Sequence, residues 1–196
     1  MCGIAGILTN RHPEDASERV GHMIAAMQHR GPDGNKVVTI FSHPKNCLVL
    51  GHARLSILDL QDTSSQPMVD SATRSWLVYN GEIYNFRELR HELESHGHQF
   101  VSTGDTEVVL KAIVHWKHDA LRKFQGMFAL AFWDGLEREL TLEAGLLVLH
   151  DIWAVGCRRS RYPAASRRHM SGLRCITTRT RPSAAGSSRI STILRS

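Results

Sequence analysis

The hydrophobic pattern of this chain stops partway along, and that break limits what the chain can fold into. Up to about residue 142, short apolar segments alternate with turn residues at strand and helix spacing. Beyond it, residues 145–155 are apolar without a period, and residues 157–196 hold ten Arg, no acid, and Ser or Thr at twelve of 40 positions. The charge divides at the same place. The net +5 is made of −3 for residues 1–140, with 14 basic and 17 acidic side chains, and +8 for residues 141–196, with ten Arg, no Lys, Glu143 and Asp151. The basicity belongs to the tail and is no sign that the body binds nucleic acid. The tail has Trp153 and Tyr162 but lacks the interleaved aromatics that stack on bases, so a nucleic-acid partner is not expected. The 196 residues, 42% hydrophobic, suffice for one domain plus a tail. No apolar run reaches the roughly 20 residues of a bilayer span. No basic segment precedes an apolar one at the start. Cys2, Cys47, Cys157 and Cys175 are too few for a disulfide framework. A cytoplasmic protein without membrane attachment is expected.

Within the body, residues 1–8 read as a buried strand. Residues 13–29 read as an amphipathic helix, with Val20, Met23, Ile24 and Met27 on one face and Glu14, Asp15 and Glu18 near its start. Residues 37–41 and 47–51 read as a strand pair. Residues 76–79 form a strand that runs into Asn80-Gly81, a strong turn signal. Residues 85–94 and 105–117 are helical, the second capped by Thr103 or Asp105. Residues 127–133 and 139–142 read as a hairpin about Asp134-Gly135. Strands joined by tight turns, with helices among them, describe an α+β domain rather than a βαβ array.

The chemistry begins at Cys2. Once Met1 is removed, thiol and α-amine belong to one residue. A free thiol titrates near 8.5 and an α-amine at about 7.7–8.0, so that amine can take a thiol proton without a separate histidine. A buried small hydrophobe is the plain alternative for a lone cysteine. The neighbours favour the nucleophile. Cys2-Gly3-Ile4-Ala5-Gly6-Ile7 resembles the amino-terminal motif of the class II glutamine amidotransferases, N-terminal-nucleophile hydrolases that release ammonia from glutamine. Arg30-Gly31-Pro32-Asp33-Gly34, Gly51-His52-Ala53-Arg54-Leu55-Ser56-Ile57, Gln66-Pro67-Met68, Asn80-Gly81-Glu82-Ile83-Tyr84-Asn85, Gly104-Asp105-Thr106-Glu107-Val108 and Phe124-Gln125-Gly126-Met127-Phe128-Ala129 follow in that family's order. The set is most similar to the glutaminase domain of glutamine-hydrolysing asparagine synthetase, over residues 1–142.

The resemblance implies a four-layer αββα sandwich of two antiparallel sheets, and it implies roles for particular residues. Cys2 is the nucleophile. Arg54 holds the substrate α-carboxylate, a task that suits a planar bidentate guanidinium. Asn80 and Gly81 form the oxyanion hole, where an amide and a glycine N–H can donate to a tetrahedral intermediate. Glu82 and Asp105 face the α-ammonium, and the backbone at Leu55 and Ile57 lines the pocket. Each residue alone has a plainer reading: an ion pair for Arg54, a hairpin turn for Asn80-Gly81, a helix cap for Asp105. L-glutamine is the implied ligand. Twelve histidines raise the question of a metal. His115 and His118, three apart on a helix, are the best pair, but the spacings of a zinc site are absent and none is expected.

Two features depart from the family. No Ser-Gly-Gly-x-Asp-Ser loop follows, so ATP and Mg, needed by a synthetase domain, are not cofactors expected of this chain. A separate synthetase domain or subunit is the implied partner. After Leu142 the family's Ala-Arg-Asp-Arg-x-Gly-x-Lys-Pro-Leu-Tyr segment is replaced by Glu143-Ala144-Gly145-Leu146. The expected organisation is therefore a truncated glutaminase domain at 1–142, with an open sheet edge, and a disordered or frameshifted Arg/Ser-rich tail at 143–196. The alternatives are an inactive fragment and the glutaminase half of another class II amidotransferase. The frameshift is checked in the coding DNA: a one-base shift after codon 142 should restore the family segment, and its absence from both other frames would end the idea.

Overall fold

The computed structural model describes residues 2–9, 13–43, 46–55 and 64–144, and the backbone of strands at 169–170, 173–179 and 190–195. In chain order the elements are β1 (Gly3–Thr9), α1 (Pro13–Ala26), β2 (Gly34–His43), β3 (Asn46–Arg54), β4 (Met68–Asp70), β5 (Ser75–Ile83), α2 (Phe86–Ser95) and α3 (Asp105–Trp116). A 3-10 turn at Lys117–Asp119 leads to α4 (Ala120–Lys123), followed by β6 (Gly126–Asp134), β7 (Glu139–Ala144), β8 (His169–Met170), β9 (Leu173–Arg179) and β10 (Ile190–Arg195). Two sheets form, with strand orders β1-β3-β2 and β4-β5-β6-β7-β10-β9-β8. Every pairing is antiparallel.

Strand alternation sorts the core into three clusters. On β1 and β3, Ala5, Ile7, Cys47, Val49 and Ala53 meet Ala16, Val20 and Ile24 of α1 and Met27 just beyond its end. The opposite faces of the same strands, through Ile4, Leu48 and Leu50, meet Val78, Ala129, Ala131, Trp133 and Leu140 of the larger sheet. The far face of that sheet, through Leu77, Tyr79, Ile83, Phe128, Leu130 and Phe132, meets Leu89 and Leu93 of α2 and Val108, Val109, Ala112 and Ile113 of α3. The order helix, sheet, sheet, helices is the expected sandwich. Each large side chain buried this way contributes about 1.5–3 kcal/mol.

Gly51 shows how tightly α1 is seated. A Cβ there would lie 2.7 Å from Val20 Cγ1 and 2.8 Å from Ile24 Cγ1, so the helix rests directly on the β3 backbone.

The structure corrects three expectations. Asn80-Gly81 is not a turn: β5 continues to Ile83, with Asn80 opposite Ala129 and Gly81 opposite Phe128. The edge at β7 is not open, because β10 pairs with it from Ile190 opposite Ala144 to Arg195 opposite Glu139. The tail is not without regular backbone, since β9 and β10 pair with each other. Their segments are rich in β-branched residues (Ile176, Thr177 and Thr178; Ile190, Thr192 and Ile193), which favour strands where no clean alternation marks one. Residues 145–155 lie outside those described.

Gly51→Ala should lower stability by about 1–3 kcal/mol through overpacking against α1, read as a lower denaturation midpoint with an unchanged slope. An unchanged midpoint would mean that α1 gives way at no cost.

Candidate active site

Alternation also determines what lies at the end of the sandwich. On the inner face of the smaller sheet the series Leu48, Leu50 continues as His52 and Arg54, and Cys2 precedes Ile4 of the same face on the neighbouring strand. On the larger sheet the inner series Trp76, Val78 continues as Asn80 and Glu82. Apolar residues fill the middle of this layer, and each sheet's inner series turns polar toward its end.

Cys2 is a free, partly buried thiol. The Leu55 N–H donates to its Sγ at 3.4 Å, and the Sγ lies 3.8 Å from the Leu55 carbonyl oxygen. The thiol is thus seated on the peptide that follows Arg54, so the Leu55 backbone lies beside it. Ile57 lies outside the described residues.

Asn80 is 3% exposed. Gly81 has φ +154°, and a Cβ there would run into the Met127 carbonyl and the Phe128 backbone, so no larger residue fits. The Tyr79 N–H donates to Gln66 Oε1 at 2.6 Å, and the Ile83 N–H donates to Asp105 Oδ2 at 3.2 Å. Both point away from β6. By strand alternation the Gly81 N–H between them points the same way, on the side where β4 has already ended. Gln66-Pro67 is a cis peptide.

Asp105 does not cap its helix. Gly104 occupies the cap position without a side-chain bond. The Asp105 Oδ2 instead accepts the Tyr79 hydroxyl at 2.7 Å as well as the Ile83 N–H. Tyr79 is the residue that sequence reading missed. Its hydroxyl is held well above the usual phenol range, first by burial and then by the charge of Asp105 and its hydrogen bond to that carboxylate. No sequence signal marks it, because a tyrosine in a strand reads as core. The start of α3 is held by Glu107, whose carboxylate accepts the N–H groups of Val101 and Ser102 and the Ser102 hydroxyl at 2.7–3.1 Å.

His115 and His118 do not converge. His118 Nε2 meets Glu139 Oε1 at 3.1 Å, while His115 Nδ1 meets His98 Nε2 at 3.1 Å. Among the described residues no group of three or more metal-ligating side chains assembles. No helix among them is long and apolar enough to cross a membrane.

A sandwich of two antiparallel sheets with a cysteine, an arginine and an Asn-Gly pair at one end defines a class, and comparison agrees. The family profile described as "Glutamine amidotransferase domain" matches residues 1–145. The chain belongs to that family. Within it, the chain is similar to asparagine synthetase [glutamine-hydrolyzing] 1 of Bacillus subtilis (strain 168), with 38% identity over 138 residues, which is 68% of this chain and 21% of that protein. It is similar also to a putative asparagine synthetase [glutamine-hydrolyzing] of Mycobacterium bovis, with 38% identity over 151 residues, 71% of this chain and 23% of that protein. The chain spans about a fifth of the length of these curated relatives. In fold it is similar to the glutamine phosphoribosylpyrophosphate amidotransferase from B. subtilis complexed with ADP and GMP, with TM-score 0.59 and 18% identity, covering 97% of this chain and 41% of that one.

Burial raises the Glu107 carboxyl, but the Ser102 and Val101 hydrogen bonds outweigh it and bring it below the usual range. A carboxyl lowered on folding adds stability above its unfolded pKa, and that stability is lost as pH falls through the folded value. Glu107→Gln should therefore cost about 1–3 kcal/mol at neutral pH, with the deficit shrinking below about pH 4, near the unfolded value. Denaturant titrations at pH 7 and at acid pH check this; an equal deficit at both would contradict it.

Proposed function

We propose that this site hydrolyses the side-chain amide of L-glutamine. The observation that carries the reading is the thiol of Cys2 seated on the Leu55 peptide, on the inner face that also bears Arg54 and opposite the strand that bears Asn80. A nucleophile, a carboxylate anchor and two amide donors at one end of a sandwich meet the needs of an amide-cleaving thiol.

The Arg54 guanidinium binds the α-carboxylate of glutamine, and Glu82 and Asp105 attract its α-ammonium. The backbone at Leu55 and Ile57 lines the side-chain channel. Removal of Met1 frees the α-amine of Cys2, which takes the thiol proton as sulfur attacks the amide carbon. The Asn80 side-chain amide and the Gly81 N–H donate to the oxygen that becomes negative. Such a donor is worth about 10²–10³ in rate. The same amine returns the proton to nitrogen as the C–N bond breaks, leaving ammonia and a glutamyl thioester. Water then cleaves the thioester, giving glutamate and the free thiol. On this reading the ammonia serves asparagine synthesis from aspartate, in a separate synthetase domain or subunit that also takes ATP and Mg. The similarity to asparagine synthetases supports that acceptor, and the cytoplasm is the compartment proposed.

Purified protein should lack Met1 by intact mass and release ammonia from glutamine. Cys2→Ala should abolish release while leaving the circular dichroism spectrum unchanged, and Asn80→Ala should lower turnover by about 10²-fold. Release that survives Cys2→Ala would overturn the assignment.

A further inference from the structure

Tyr79 of β5 is 2% exposed, and its ring lies in the apolar cluster packed against α2 and α3. Its hydroxyl donates to Asp105 Oδ2 at 2.7 Å, and the Ile83 N–H donates to the same oxygen at 3.2 Å. Among the described residues no donor reaches Asp105 Oδ1, and Asp105 is only partly buried. A phenylalanine would fill the Tyr79 site with no polar atom to satisfy. Packing therefore does not explain the hydroxyl. Together with Ile83 it holds one oxygen of a carboxylate and so fixes where the other lies. Each carboxylate oxygen has about two lone-pair sites, so Oδ1 keeps its capacity for a cation.

We propose that Tyr79 is a positioning residue for Asp105 as the anchor of the substrate ammonium. Asp105 opens a helix, and no strand ladder joins a helix to the sheet. The bonds from Tyr79 and Ile83 supply that join. Their donors stand on β5 on either side of Asn80 and Gly81. The ammonium anchor is thus tied to the same strand that carries the oxyanion donors. The distance from the anchor to the reacting amide is set along β5, and it matches one separation between an amide and an α-amine. Tyr79 touches no substrate in this arrangement. It acts on binding, through Asp105, and leaves the thiol chemistry alone.

The inference rests on the glutaminase reading, and the test separates the two. Tyr79→Phe should raise the KM for glutamine about tenfold, the scale of one lost hydrogen bond to a charged group, and keep kcat within about threefold. Alkylation of Cys2 by iodoacetamide, which needs no ammonium anchor, should proceed at the parent's rate. Asp105→Asn should also lower kcat/KM, and adding Tyr79→Phe to it should cost less than about twofold more, because both changes remove one device. An unchanged KM in Tyr79→Phe, a fall in kcat at unchanged KM, a shifted alkylation rate or an additive double variant overturns the positioning role. A Tyr79→Phe protein that does not fold assigns the hydroxyl to the core and overturns it as well. An Asp105→Asn variant with the parent's kcat/KM removes the anchor, and with it this inference, while the Cys2 assignment stands. A parent protein with no turnover, indistinguishable from Cys2→Ala, overturns the glutaminase reading and this inference together.

Discussion

Double-sided burial of a few short strands is the constraint on which the rest depends. β3 sends Val49 and Ala53 toward α1, and Leu48 and Leu50 toward the facing sheet. β5 and β6 do the same between the facing sheet and the helices α2 and α3. A strand buried on both faces cannot slip by one residue without exchanging its two cores. Register is therefore held along the whole strand, including its polar end. The placement of Cys2, His52 and Arg54 against Asn80 and Glu82 follows from apolar residues several positions away.

The polar end is then refined by hydrogen bonds that cross between segments. Cys2 is fastened to Leu55, Tyr79 to Gln66 and Asp105, and the loop before Asp105 to Glu107. These bonds join parts of the chain that the sheets alone would leave loosely related. Asp105 shows the economy of the arrangement: one carboxylate oxygen receives two donors from β5, leaving its other oxygen for an ammonium group in the reading given above.

Much of this was legible in the sequence. The helix face Val20, Ile24 and Met27 is the one that packs on the smaller sheet, because a 3.6-residue period has no competing interpretation there. Asn80-Gly81 misled as a turn: local propensity favours a hairpin, but pairing with Ala129 and Phe128 decides otherwise. Asp105 misled as a cap because Tyr79, distant in sequence, offers its hydroxyl. Tyr79 acquires meaning only from partners distant in sequence, Gln66 and Asp105. In the tail, β9 and β10 escaped notice because Arg, Ser and Thr blur the two-residue period, while pairing with β7 depends on the backbone.

The central claim is that the sandwich delivers one thiol to one amide carbon. It is tested most directly by mixing the protein with glutamine, quenching in acid within the first turnover, and mapping the acyl adduct by peptide mass spectrometry. The account predicts a glutamyl group on Cys2 that vanishes as water completes the cycle. Turnover with the adduct on another residue, or with no adduct even when the second step is slowed, would contradict it.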